Sequence, residues 1–175
     1  MRYSRTTGLA AVMLLSTAMV PAQCADKPSD AQIAHIAYTA GDLDIKAAKL
    51  ALEKSKNDGV REFANDMVRD HKAVNDKALA LVKKLNVTPE DNDTSKSLAR
   101  QSANKQAELA KLSGAAFDKA YVDNEVAYHK SVNDALKTAL IPSARNGELK
   151  SLLETGLKIF AGHEQHAEIL ASKLH

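Results

Sequence analysis

The strongest constraint on the fold is a set of side chains at alternating spacings of three and four: Val60, Phe63, Met67, His71, Val74, Ala78, Leu81 and Leu85. This period lays one apolar stripe along one face of a helix, and a stripe of that length has to be covered by other helices. Its middle position is a histidine. Three further stretches repeat the pattern. Ile33, Ala37, Ala40, Asp44, Ala47 and Ala51 share a face of a helix expected over 29–56. Val122, Glu125, Val126, His129, Val132, Leu136 and Ala139 share one over 115–140. Leu152, Leu153, Gly156, Ile159, Phe160, His163, Ala167 and Leu170 face inward over 148–174.

The punctuation between these stripes fits helices. Ser29 with Gln32 three residues on is a capping-box start. Asn57-Asp58-Gly59 breaks the first helix, and Asp58 is expected to cap the second, over 60–85. Asn86 and Pro89 close that helix. A more polar helix over 97–112 is expected to cross the bundle as a connection, and Ser113-Gly114 ends it. Pro142 and Asn146-Gly147 are expected to force the last turn. No strand-like alternation appears, and the abundance of Ala, Leu, Lys and Glu favours helix. The expected fold is all-α: a ferritin-like up-down four-helix bundle with a helical crossover between the second and third core helices.

The first residues have the pattern of an export signal. Arg2 and Arg5 precede an apolar run over 8–20, then Pro21 and small residues, with cleavage expected after Ala22 or Ala25. The run is shorter than the roughly 20 residues a spanning helix needs, so an N-terminal anchor is the weaker alternative. Gln23 ahead of Cys24 argues against a lipidated cysteine. The expected organisation is a signal peptide over 1–25 and one helical domain over 26–175, in the periplasm, with outer-envelope association open. Cys24 stands alone, so no intramolecular disulfide can form. The leader would carry off two of the 24 basic residues and none of the 22 acidic ones. A neutral mature chain without a basic tract gives no reason to expect nucleic acid. No integral membrane segment is expected after signal cleavage, and protein partners stay unspecified.

A carboxylate or imidazole in a buried stripe loses water and needs a partner. Asp44, His71, His129 and His163 sit at similar depths in their helices, with offsets that differ by roughly 6 Å at 1.5 Å per residue. They are expected to share one layer. Three imidazoles and a carboxylate suit a single Zn, Fe or Cu ion. Glu125 lies one turn before His129, as a further ligand or as its support, and His166 follows His163 by three residues as another candidate. Asp70 is read as solvated or as the partner of a neighbouring helix. His35 and His175 are read as solvated, and Met67, Phe63, Phe117, Tyr121, Tyr128 and Phe160 as core. No Gly-x-Ser-x-Gly elbow or phosphate-binding glycine loop is present, and no catalytic residue is assigned. The alternative to metal is a buried network in which Asp44 or Glu125 pairs with a protonated histidine and fixes helix register.

Three segments carry a family resemblance: KLALEKSKNDGVREFANDMVRDH over 49–71, FDKAYVDNEVAYH over 117–129 and LKIFAGHEQHAEIL over 157–170. The chain resembles an exported bacterial family catalogued as domain of unknown function 4142. The resemblance implies a ferritin-like bundle in the periplasm or outer envelope. It matches His71, His129 and His163 to the family's motif histidines, and Asp44 to a first-helix position usually held by Glu. Di-iron proteins of the wider ferritin-like class carry Glu-x-x-His on two helices. Here Val68 stands three before His71, and His163 three before His166. A carboxylate-bridged di-iron centre therefore lacks its bridges, which disfavours that oxidase chemistry. The expected role is metal sequestration or stress protection, with redox catalysis at an open position left standing. The alternative is a structural or partner-binding envelope bundle.

Overall fold

The computed structural model describes residues 27–174. The expected export signal with Cys24, and His175, lie outside the described residues. Within them the chain is all-α: α1 (Asp30–Lys54), α2 (Asp58–Lys84), α3 (Asp93–Ala110), α4 (Gly114–Ala135), a π-helical turn (Leu136–Leu140), the short α5 (Ile141–Ser143) and α6 (Gly147–Ala171). The capping box is formed. Ser29 Oγ accepts from the Gln32 backbone N–H at 3.2 Å, and Gln32 Oε1 accepts from that of Ser29 at 3.1 Å. Asn57, not Asp58, caps α2, through Val60 N–H at 3.1 Å. Asp58 sits in the first turn, where its charge favours the helix dipole.

Two apolar clusters fill the bundle. Ala47, Ala51, Phe63, Met67, Phe117, Tyr121 and Ala167 belong to one, and Ile33, Ile36, Leu136, Leu149, Leu153 and Phe160 to the other. The start of α1 thus lies beside the end of the α4 helical run and the start of α6. Consequently α1 and α6 run one way, and α2 and α4 the other. Because α2 and α4 are parallel, the chain must return along the bundle between them. α3 makes that return, with Leu98 against one cluster and Leu109 in the other. This is the crossover topology expected from the sequence.

Burying side chains such as Phe63 and Met67 stabilises the fold by about 1.5–3 kcal/mol each. α1 and α2 pack so closely that a Cβ on Gly41 would lie 2.5 Å from Asn75 Oδ1. Asn75 Nδ2 donates to the Tyr38 carbonyl at 3.3 Å, fixing this crossing. At the bundle's end, the Asp30 carboxylate accepts from the backbone N–H groups of Arg145 and Asn146 at 2.8 and 2.9 Å. Pro142 does not make the turn. The helix passes through it, because the N–H of Ile141 bonds back to Leu136 five residues earlier. That wider turn relieves the clash of the proline ring with the preceding carbonyls. The turn comes at Ala144, where the backbone becomes extended.

Candidate metal centre

Between the two apolar clusters lies one polar layer. α1 supplies Asp44, α2 His71, α4 Glu125 and His129, and α6 His163, all buried. Each occupies a stripe position one turn from apolar neighbours, so forming the bundle necessarily brings them inward. The three imidazole centroids make a triangle of 5.3, 5.4 and 5.6 Å. One ligand nitrogen from each of His71, His129 and His163 lies within 4.8 Å of the other two, and Asp44, Glu125 and His129 form a second such group.

The tightest set is Asp44 Oδ2 with two imidazole nitrogens. It lies 2.8 Å from His71 Nε2 and 3.3 Å from His129 Nε2, which are 3.4 Å apart. The contact with His71 has the length of a hydrogen bond but not its direction. Both Asp44 oxygens are buried without a hydrogen-bond partner. Burial pushes the Asp44 carboxyl up, yet His71 beside it, with help from His129 and Glu125, holds it at about 2, so it is charged. Glu125 moves the other way, well above its ordinary range, because it is buried next to charged Asp44. Burial, aided by His71, lowers His129; it also takes His163 down to about 4, with His71 and His129 adding to it. The two shifted imidazoles are therefore neutral at pH 7, the form that can ligate.

Fixed contacts orient the rings. His129 Nδ1 donates to the Glu125 backbone carbonyl at 3.0 Å, which leaves Nε2 facing Asp44 and His71. His163 Nε2 donates to Asp70 Oδ2 at 3.1 Å, while its Nδ1 is buried without a partner. His71 stacks on Phe160 at 4.4 Å between centroids with 3° between planes. Asp70 is thus the partner of a neighbouring helix, one of its two expected roles, and Arg69 holds its other side at 2.7 Å. His166 is not brought into the layer; its ring meets Phe63 edge-on at 5.2 Å. His35 is half-buried, 4.0 Å from Asp91, rather than fully solvated.

Two features escaped the sequence reading. Tyr121, one turn before Glu125, buries a hydroxyl with no partner. Asn133, one turn after His129, donates to Glu164 on α6 at 2.7 Å. The i,i+4 spacings of Tyr121 and Asn133 were visible; their polar partners lie on other helices.

The family model for the domain of unknown function DUF4142 matches residues 16–170. The chain belongs to this family. Among curated proteins none matches this DUF4142 chain. Two solved structures share its fold. One is a Streptomyces coelicolor DUF305 protein described as secreted, 13% identical, covering 83% of this chain and 91% of its own, with a TM-score of 0.68. The other is CopM in the Cu(II)-bound form, 11% identical, covering 86% of this chain and 100% of its own, with a TM-score of 0.65. At such identities the likeness is one of fold. No helix among the described residues is long and apolar enough to cross a membrane.

Proposed function

We propose that this DUF4142 protein is exported after loss of its leader over 1–25 and binds a single divalent transition-metal ion in the mid-bundle layer. Its role would be metal sequestration or protection against metal stress in the periplasm. The observation that carries the reading is the Asp44–His71–His129 triangle. Its separations of 2.8, 3.3 and 3.4 Å are those of neighbouring donors around an ion with bonds of about 2 Å. A charged carboxylate buried this deeply, with no well-directed hydrogen bond to either oxygen, also favours a positive partner. Asp44, His71 and His129 would hold the ion, with His163 as the fourth ligand. Mixed nitrogen and oxygen donors suit Zn, Cu or Fe, and a bound ion would act as a Lewis acid or, for Cu and Fe, as a redox centre. CopM, a fold relative found with Cu(II), makes copper the first ion to try.

The second reading is a metal-free envelope bundle in which His71 pairs with Asp44 and fixes register. The 2.8 Å contact favours it; the missing hydrogen-bond direction at Asp44 speaks against it. Metal analysis of the mature protein, prepared without a metal-affinity tag, separates the two. One ion per chain, lost on His71→Ala or His129→Ala, is expected. Substoichiometric metal unchanged by either substitution would overturn the metal reading.

A further inference from the structure

A cleft of about 240 Å³ lies between α1, α3 and α4. Of the residues able to bind metal in the polar layer, only Asp44 and Glu125 line it; the three imidazoles lie behind them. Both carboxylates are buried with unpartnered oxygens, Asp44 with two and Glu125 with Oε2. Its roof is α3, the least buried of the long helices, with only Ser95 and Leu109 wholly inside. A larger cavity of about 770 Å³ adjoins the cleft toward the bundle end formed by the starts of α1 and α6, sharing Leu98, Ser131 and Val132 with it. Both are walled mainly by apolar groups, but no metal-binding residue of the layer lines the larger one, where Phe160 covers the face of His71. A hydrated cation is stopped by an apolar passage and favoured by one ending in carboxylates.

We propose that the cleft beneath α3 is the route by which a divalent cation reaches and leaves the layer, with Glu125 and Asp44 forming a transfer subsite at its floor. The order of donors supports this. An incoming aqua ion meets hard carboxylate oxygens first and exchanges water for them readily. Asp44 Oδ2 lies 2.8 Å from His71 Nε2 and 3.3 Å from His129 Nε2, so it can keep hold of the ion while those nitrogens replace the remaining water. Glu125 would then act in delivery, and its loss would change rates more than final affinity. The proposal rests on the metal reading above.

The test measures loading of Cu(II) or Zn(II) by rapid mixing and release to an external chelator, with equilibrium stoichiometry recorded for every variant. Glu125→Gln removes the transfer carboxylate with little change of volume. Ala127→Trp narrows the cleft from an exposed position on α4, and Ala139→Trp, exposed at the apolar cavity, serves as control. Glu125→Gln and Ala127→Trp should each slow loading by about tenfold or more, the low end of the rate effects of a cleft that draws an ion inward. Both should still bind one ion, and Ala139→Trp should load like the wild type. Full stoichiometry with unchanged rates in the first two overturns the route, as does slowing confined to Ala139→Trp. Should Ala127→Trp not fold, Glu125→Gln decides alone. A wild type that binds no stoichiometric ion overturns the metal reading itself, and the route with it.

Discussion

Replacing Asp44 by Asn separates the two readings of the polar layer. The amide keeps the size of the side chain but removes the buried charge, 2.8 Å from His71 and 3.3 Å from His129. Loss of a group that merely orients a ligand costs about 10–100-fold in metal affinity, so loss of a charged ligand should cost about 100-fold or more. An ion present at 100 times its Kd stabilises the fold by about 2.7 kcal/mol. For a domain of this size that is a rise in Tm of roughly 5–10 °C. At the same ion concentration the variant would be only half-saturated, and the gain falls to about 0.4 kcal/mol, or roughly 1 °C. Thermal melts followed by circular dichroism, with and without Cu(II) or Zn(II), read this difference directly. The metal-free variant supplies its own baseline, since removing one partner of a buried pair also lowers stability by about 3–5 kcal/mol. An ion-induced rise in Asp44→Asn equal to that of the wild type would refute the reasoning.

Asp70→Asn weakens the acceptor that orients His163, and should lower metal affinity by about 10–100-fold while stoichiometry stays at one; unchanged affinity in a competition titration would count against that role. Gly41→Ala puts a methyl group 2.5 Å from Asn75 Oδ1 and displaces that amide from the Tyr38 carbonyl, which outweighs the roughly 1 kcal/mol that Ala adds within a helix. Chemical denaturation should show a net loss of up to about 2 kcal/mol, and a gain in stability would contradict the close α1–α2 crossing. The pH dependence of the chelated protein follows from His163, whose value falls from 6.5 to about 4 on folding. Below 6.5 the unfolded chain takes up a proton that the folded one refuses, so stability should fall as pH drops from about 6.5 toward 4. His163→Gln should flatten that limb in urea titrations, and an unaltered slope would contradict the assignment.

The stripes were legible because burial imposes the helical period on the sequence. The titratable residues stood out as breaks in that period, at matching depth, and Asp44, His71, His129 and His163 do meet in one layer. Topology was legible for a related reason: a polar, weakly periodic helix between two strong stripes fits a return crossing better than a core position. What could not be read was decided between helices. Asp70 points about 100° away from His71 on its own helix, and only the approach of α6 gives it His163. His166 shares a face with His163, yet one turn further along it meets Phe63. Pro142 breaks α-helical bonding, but the π turn before it lets the helix continue. The cap went to Asn57 rather than Asp58 because adjacent capping residues differ only in where the first turn closes.

The central claim is that Asp44, His71 and His129 converge on one ion. Anomalous diffraction from crystals grown with one equivalent of Cu(II) or Zn(II), recorded on both sides of the metal's absorption edge, tests it most directly. A single peak bonded to Asp44 Oδ2, His71 Nε2 and His129 Nε2 is the expected result. A fully formed layer with no peak, or with the ion held elsewhere on the chain, would contradict it.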